Sequence, residues 1–300
     1  MSNATLPSPA EPPATPPVAA PASLAELRAE LDRLDDALHA TLMRRAEVVA
    51  AVGSLGVKRA TALRPGREAA IIRRLLAAHS GGLPRQAVVR LWRELLAATT
   101  AMQGRFAVAV CDAEPALATV AIAREHFGAL TPLGHHRTPA QAIRQVSEGR
   151  AAVAVLPMPA QDEPDQAAWW TALLHQDVPR LHIVARLPFW APRPEGTPQA
   201  QALVVSAADP DPSGADRSLL GLEIAAGISR ARLGTALGAA GFAARDVILR
   251  RYPGAAAAQA LVEVEGFVAA DDRRLAAANG LIPAPVLLGA YAVPIEETSA

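Results

Sequence analysis

Residues 24–53, LAELRAELDRLDDALHATLMRRAEVVAAVG, carry the strongest helical periodicity in the chain. Apolar side chains recur there at steps of three and four residues, which predicts one amphipathic helix. The stripe consists of Leu27, Leu31, Leu34, Leu38, Leu42, Val49 and Val52. Ser23 followed by Glu26 is a capping box at the start, and Gly53 marks the end. At 1.5 Å per residue this helix is about 45 Å long, too long for a small domain to bury alone, so it needs a partner.

Two arginines on this helix are too far apart to hold one small molecule together. Arg28 and Arg45 are separated by about 25 Å along the axis. Antiparallel pairing of two copies about a twofold axis would bring Arg28 of one chain beside Arg45 of the other. One interpretation is therefore a site shared between chains, and the other is that both arginines are ordinary solvated helix residues.

More polar side chains follow on what read as two further helices and the loop before them. They are Lys58, the Arg67-Glu68 pair and Gln103, and no metal-ligand set or activated nucleophile accompanies them. Such a set is typical of binding a small dianion and not of covalent attack.

Residues 24–103 resemble the all-helical (AroQ-type) chorismate mutases. The shared features are LR in the first turns, LD before a leucine ladder, RRAE, VG at the helix end, RE opening the second helix and glutamine ending the third. The resemblance implies a three-helix domain in an intertwined homodimer that converts chorismate to prephenate without cofactor or metal. The site residues it implies are Arg28 (given to the neighbouring chain's site), Arg45, Arg67, Glu68, Thr99 and Gln103.

The implied chemistry suits these residue types. Chorismate rearranges in one pericyclic step, so catalysis reduces to holding the reactive chair and stabilising charge on the breaking ether oxygen. Two arginines would clamp the two carboxylates. Gln103 would donate to the ether oxygen and Glu68 would accept from the ring hydroxyl. Thr99, four residues before Gln103, would face the same pocket, unless it is an ordinary helix-surface threonine.

Two positions depart from the family pattern. The family's lysine after the first helix falls at Gly56, while Lys58, the only lysine in the chain, stands two residues later. A flexible ammonium can absorb a small shift in register, so Lys58 is the expected ether-side cation, with a solvated loop residue as the alternative. Arg64 stands where an acidic residue is usual.

Composition excludes several function classes. Charge is balanced, with 29 Lys+Arg and 29 Asp+Glu, so no electrostatic footprint indicates nucleic acid. The single Cys111 excludes an internal disulfide framework, and its apolar setting predicts a buried small hydrophobe. The Pro/Ala-rich residues 1–22 read as a disordered extension. No apolar run reaches membrane-spanning length, which favours a cytoplasmic protein without a membrane partner.

After Gly104 the pattern changes to alternating strands and helices. Residues 105–208 predict a parallel α/β lobe, with strands at 106–111, 151–156, 181–185 and 202–205 and helices at 116–127, 139–148 and 169–174. Residues 218–295 predict a βαββαβ order, with strands at 219–224, 247–251, 258–264 and 285–292 and helices at 230–240 and 271–279. The predicted fold is therefore multi-domain, an all-α domain at 23–104 followed by these two α/β regions.

The two α/β regions resemble a prephenate dehydratase lobe and its ACT regulatory domain, on the stretches FAVAVCD, REHFG, AIRQVSEGRAAVAVLPMP, VEVEGFVAADDRRL and VLLGAYAVP. Several motifs are missing. Cys111-Asp112-Ala113-Glu114-Pro115 replaces a glycine-rich loop, Pro157-Met158-Pro159 replaces PIEN, Ala200-Gln201-Ala202 replaces TRF, and Arg250-Arg251-Tyr252-Pro253 replaces the effector motif ESRP. The stretch between the first lobe and the ACT-like segment is also too short for the second lobe that closes a dehydratase cleft, so we expect no such cleft.

We therefore expect a chorismate mutase with a catalytically silent dehydratase-like and ACT-like region. One alternative is a bifunctional mutase and dehydratase, and another is a non-enzymatic sensor of aromatic metabolites. Phenylalanine binding to the ACT-like part is left open. Outside the site, we expect His135 and His136 to be polar loop residues and Trp169 and Trp170 to be packing residues. We expect the linker aspartates, Asp209, Asp211 and Asp216, to be solvated turn residues.

Overall fold

The computed structural model describes residues 23–54, 62–112, 118–175, 179–197, 199–276 and 282–296. Internal contacts divide the chain into two units, Met1–Ala51 and Val52–Ala300. The predicted extension at 1–22 and Lys58 lie outside the described residues.

The first helix, α1, spans Leu24–Ser54 and confirms the helix predicted from the leucine stripe. Its start is the predicted capping box, because Glu26 N donates to Ser23 Oγ at 3.3 Å and Ser23 N donates to Glu26 Oε2 at 2.7 Å. None of the residues of α1, all of which are described, is buried. Five leucines on it are each more than half exposed: Leu24, Leu27, Leu31, Leu34 and Leu38. A long apolar stripe open to solvent is typical of an interaction surface.

Two shorter helices complete the all-α segment. α2 spans Pro65–Ala77 and α3 spans Arg85–Ala101. Both pack on the α/β region that follows, in one apolar cluster that includes Ala69, Ile72, Leu76, Val88, Val89, Leu96, Phe189, Trp190 and Ala292. Their core is therefore shared with the rest of the second unit.

Among the described residues, nine strands form one sheet in the order β2-β1-β3-β5-β4-β9-β6-β8-β7. The strands are β1 Val108–Cys111, β2 Leu133–His136, β3 Val153–Pro157, β4 His182–Leu187, β5 Ala202–Ser206, β6 Asp216–Ala225, β7 Ala244–Arg251, β8 Ala257–Glu265 and β9 Val286–Ala292. β1 pairs parallel with β3, as predicted, and also with β2, which was not predicted as a strand, whereas β5 is antiparallel to both β3 and β4.

The sheet runs without interruption from the predicted dehydratase-like region into the predicted ACT-like region. β4 and β9 join the two parts through the pair Ile183 and Gly289. Gly289 has φ +147°, and a Cβ there would lie 2.0 Å from the Ile183 carbonyl oxygen. Only glycine permits this approach, since any side chain would collide with the neighbouring backbone. The boundaries at 208 and 218 stay predictions.

Helices cover the sheet. α4 spans Ala118–Phe127, α5 spans Pro139–Ser147 and α6 spans Arg230–Ala239. The predicted helix at 169–174 is a 3-10 helix, Trp169–His175, and within the predicted helix at 271–279 the described residues form only the 3-10 turn Arg273–Ala276. The strand and helix order of residues 218–295 follows the predicted βαββαβ pattern, with that 3-10 turn in place of the second helix.

Individual expectations outside the mutase-like segment have mixed outcomes. Cys111 is fully buried, as predicted, and burial raises its pKa to about 11. Trp169 and Trp170 are buried packing residues whose indole N–H groups donate to Pro157 O and Glu163 Oε1, each at 3.0 Å. The loop prediction for His135 and His136 is wrong, because both belong to β2, a short edge strand without the long apolar run that predicts strands.

Candidate active site

Glu68 lies in the first turn of α2 and is held by a partner on α3. Arg93 Nη1 donates to Glu68 Oε2 at 3.1 Å, and the two side chains are 4% and 12% exposed. Burial raises the pKa of Glu68, Arg93 opposes this rise, and Asp211 adds to it. Burial lowers the pKa of Arg93 to about 10, so its guanidinium stays charged at neutral pH. The pair fixes one carboxylate oxygen of a predicted substrate-binding residue.

Arg93 is enclosed by the α/β region. Its guanidinium carbon lies 4.7 Å from the centroid of the Phe189 ring, within the range of a cation–π contact. His126 on α4 is buried nearby, and burial together with the Arg93 charge puts its pKa well below the ordinary value. Glu125, beside it, accepts from Arg193 Nη1 at 2.8 and 2.9 Å. Residues of the α/β region therefore enclose the Arg93 side of the Glu68–Arg93 pair.

Arg67 precedes Glu68 and has an exposed side chain. Its backbone N–H donates to Asp211 Oδ2 at 3.2 Å, and Gly66 N donates to Asp211 Oδ1 at 2.9 Å. Arg64 Nε also donates to this carboxylate, at 2.9 Å. The expectation that Asp211 is a solvated turn residue is wrong, because it accepts these bonds at the start of α2. This contact also accounts for the arginine at position 64.

The other two linker aspartates differ from each other. Asp209 has a side chain that is 98% exposed, which confirms its predicted solvation. The same expectation is wrong for Asp216, because its carboxylate accepts from Ser213 N at 2.9 Å and from Ser213 Oγ at 2.5 Å.

Thr99 and Gln103 lie near the end of α3. The Thr99 hydroxyl donates back to its own helix, to the carbonyl oxygens of Leu95 at 2.8 Å and Leu96 at 3.1 Å. Thr99 is buried, so it is not a helix-surface threonine. Gln103 is exposed in the turn after α3, and its Nε2 donates to the Thr99 carbonyl oxygen at 3.3 Å. The two predicted residues are therefore adjacent in the structure.

The remaining predicted residues belong to other parts of the chain. Arg28 and Arg45 both lie on α1 in the first unit, where Arg28 is exposed and Arg45 is partly buried. Burial lowers the pKa of Arg45. The structure places Arg67, Glu68, Thr99 and Gln103 in the second unit.

Arg93 was not predicted from the sequence, although a signal for it exists. It falls within the apolar face of α3, one helical turn from Val89 and from Leu96. A charged residue on a buried stripe needs a charged or hydrogen-bonding partner. That rule points to a buried acid, which here is Glu68.

Positions that replace the dehydratase and effector motifs make structural contacts. Gln201 Oε1 accepts from Arg186 Nη2 at 3.0 Å. Arg250 donates to the Glu163 carbonyl oxygen at 2.9 Å and pairs with Asp165. Ala113, Glu114 and Pro115 of the first motif lie outside the described residues.

The described part of the chain lacks two kinds of feature. It contains no group of three or more His, Cys, Asp or Glu side chains placed to hold a metal ion. None of its helices is long and apolar enough to span a membrane.

Comparison with known proteins gives a match for the N-terminal segment. Residues 27–104 match the family model described as chorismate mutase type II. A bifunctional chorismate mutase/prephenate dehydratase of Aquifex aeolicus (strain VF5) is 30% identical over 128 residues, which are 41% of this chain and 34% of that protein. The chain thus matches about a third of the length of this curated relative.

Solved structures resemble the chain less closely. One is described as GqqA, a novel type of quorum quenching acylases, with 22% identity, a TM-score of 0.47 and coverage of 63% of this chain and 96% of that chain. Another is the prephenate dehydratase of Arthrobacter aurescens in complex with L-Phe, at 14% identity, a TM-score of 0.47 and coverage of 65% and 92%. A third is the prephenate dehydratase of Streptococcus mutans, at 15% identity, a TM-score of 0.44 and coverage of 63% and 98%.

The family match and the described helices agree in extent. The matched residues, 27–104, take in most of α1 and all of α2 and α3, and they precede the mixed α/β sheet. By sequence, residues 27–104 therefore match the chorismate mutase type II family, and a mixed α/β region follows this segment.

Proposed function

We propose that this protein is a chorismate mutase that converts chorismate to prephenate. The observation that carries the proposal is the match of residues 27–104 to the type II mutase family. The polar set that the sequence places in this segment supports it, since arginines, a carboxylate and an amide suit a dianionic substrate that rearranges without covalent attack. The proposal places the enzyme in the cytoplasm.

The residues divide into binding and transition-state roles. Arg28 and Arg45 bind the two substrate carboxylates, and Arg67 adds positive charge near them. Gln103 and Lys58 stabilise negative charge that develops on the ether oxygen. The binding residues and the transition-state residues both act through hydrogen bonds and charge, so the reaction needs no proton transfer.

Glu68 accepts from the ring hydroxyl of chorismate. The Arg93 contact at Glu68 Oε2 supports this role, because it orients the carboxylate and favours its ionised form. Thr99 donates to its own helix in this structure, so contact with a substrate carboxylate requires its hydroxyl to rotate. Gln103 likewise has to turn its amide away from the Thr99 carbonyl.

The active form is a homodimer in which α1 pairs with α1 of a second copy. The exposed leucine stripe of α1 supports this proposal, since a helix of 31 residues without a buried side chain gains stability by covering its apolar face. Arg28 then serves the site of the other chain, because about 25 Å separate it from Arg45 on one helix.

The α/β region is catalytically silent in this proposal. Its support is the loss of the dehydratase motifs, in particular the TRF threonine, whose place is taken by the Ala200-Gln201-Ala202 stretch. A second candidate is a bifunctional mutase and dehydratase, which the name of the Aquifex aeolicus relative favours.

Chorismate consumption by the purified protein tests the proposal. We expect turnover by the wild type, and Gln103→Ala should lower kcat on the order of a hundredfold, since it removes a donor aimed at developing charge. A wild-type protein that leaves chorismate unchanged would overturn the mutase proposal. Equal rates for wild type and Gln103→Ala would overturn the assignment of Gln103.

A further inference from the structure

Asp211 reaches the start of α2 from a distant part of the sequence. It lies between β5 and β6, and its carboxylate accepts from Gly66 N at 2.9 Å, Arg67 N at 3.2 Å and Arg64 Nε at 2.9 Å. The Asp211 side chain is only 13% exposed. A carboxylate at this end of a helix satisfies N–H groups that have no partner within the helix and interacts favourably with the helix dipole.

The backbone at Asp211 also lies against α2. A Cβ at Gly66 would lie 2.0 Å from the Asp211 carbonyl oxygen, so position 66 admits no side chain unless the two segments separate. α2 has no side-chain cap of its own, since Arg64 occupies the N-cap position without a capping hydrogen bond. Asp211 thus supplies the cap that the local sequence lacks.

We infer that Asp211 is a positioning residue for the mutase site, because it fixes the first turn of α2 and thereby the placement of Arg67 and Glu68. The inference rests on the proposed function and deepens it. It gives the α/β region a role in the mutase reaction, since the segment between its two predicted parts holds a substrate-binding turn of the helical segment.

Charge at Asp211 also acts on Glu68. The charged groups that act on the Glu68 carboxylate are Arg93 from α3 and Asp211 from the segment before β6, and Arg64, at the N-cap of α2, donates to Asp211. Asp211 raises the pKa of Glu68 by repulsion, so removal of its charge lowers that pKa. The acid limb of the pH profile is the fall in kcat/KM as Glu68 becomes protonated. In a variant without the Asp211 charge this limb should move to lower pH, a change that a purely structural cap would not produce.

The test uses the full-length protein with Asp211→Asn, and Asp209→Asn as the matched control from the same segment, where the side chain is almost fully exposed. We expect Asp211→Asn to lower kcat/KM at neutral pH on the order of tenfold, because a small misplacement of binding groups slows an orientation-dependent reaction. We also expect the acid limb of Asp211→Asn to lie at lower pH than that of the wild type. Hydrogen exchange at the Gly66 and Arg67 amides should be faster than in the wild type. Asp209→Asn should match the wild type in all three.

Each outcome has one meaning. An active wild type with unchanged kcat/KM and acid limb in Asp211→Asn overturns the inference and leaves the proposed function intact. Loss of activity in proportion to loss of folded protein, with an unmoved acid limb, makes Asp211 a structural cap and also overturns it. If Asp211→Asn does not fold, Asp211→Ser, which keeps an uncharged acceptor, is measured in its place, and failure of both to fold rejects a positioning role. A wild type inert towards chorismate overturns the inference and the proposed function together.

Discussion

Glu68 on α2 and Arg93 on α3 form a buried ion pair, with 3.1 Å between Glu68 Oε2 and Arg93 Nη1. The guanidinium also lies over the Phe189 ring, whose centroid is 4.7 Å from the Arg93 guanidinium carbon. Glu68, a residue of the proposed substrate site, is therefore held by Arg93 of the neighbouring helix, and Arg93 in turn packs on the α/β region.

Replacement of Arg93 should destabilise the protein strongly. Arg93→Met keeps much of the apolar bulk but leaves Glu68 buried without its partner, and such a loss costs about 3 to 5 kcal/mol of unfolding free energy. Urea unfolding measures the change. Arg90→Met is the control, because Arg90 lies about one turn earlier on α3 and is exposed.

A second substitution shows whether the lost partner is the cause. Adding Glu68→Gln to Arg93→Met should recover part of the lost stability, since the buried group is then neutral. Equal unfolding free energies for Arg93→Met and Arg90→Met would refute the buried-pair interpretation.

His126 should make stability depend on pH. Burial, with a further contribution from Arg93, holds its folded pKa well below 6.5, whereas in the unfolded chain it protonates near 6.5. The stability it contributes is present above pH 6.5 and is lost as the pH falls towards the folded pKa. His126→Gln should therefore lose less stability than the wild type as the pH falls below 6.5, which urea unfolding at a series of pH values measures. Parallel stability curves for the two proteins would exclude His126 as the source.

The leucine stripe of α1 should control dimerisation. Leu34→Glu places a charge in the middle of the stripe, and we expect it to give monomers in sedimentation velocity, where the wild type gives dimers. Leu130→Glu is the control, since Leu130 is 95% exposed and lies in a turn that is not part of α1. A Leu34→Glu protein that stays dimeric would show that another surface joins the copies.

Local patterns in the sequence predicted much of the fold. The leucine spacing and the Ser23–Glu26 box predicted α1, because both features act within a few residues. The sequence could not predict that Asp211 contacts Gly66, since 145 positions separate them and a single aspartate in a Pro/Gly-rich segment looks like a turn residue. The sequence also could not predict that Glu68 is the partner of Arg93, because only the packing of α3 on α2 brings the two side chains together.

Sharing of the site between chains should appear on mixing two inactive variants. Arg28→Ala and Gln103→Ala homodimers should each be almost inactive, since every site then lacks one residue. In a mixed dimer one of the two sites is complete. Co-refolding equal amounts makes about half of the dimers mixed, which gives roughly a quarter of wild-type activity by twofold symmetry. Confirmed mixed dimers without recovered activity would mean that Arg28 acts within its own chain.

Identification of the product that the wild-type protein makes from chorismate tests the account most directly. The work-up has to avoid acid, because prephenate can aromatise without an enzyme. We expect prephenate to accumulate at neutral pH and to remain, because the Ala200-Gln201-Ala202 stretch replaces the TRF threonine of the dehydratases. Steady, enzyme-dependent formation of phenylpyruvate would contradict the account and establish the bifunctional alternative.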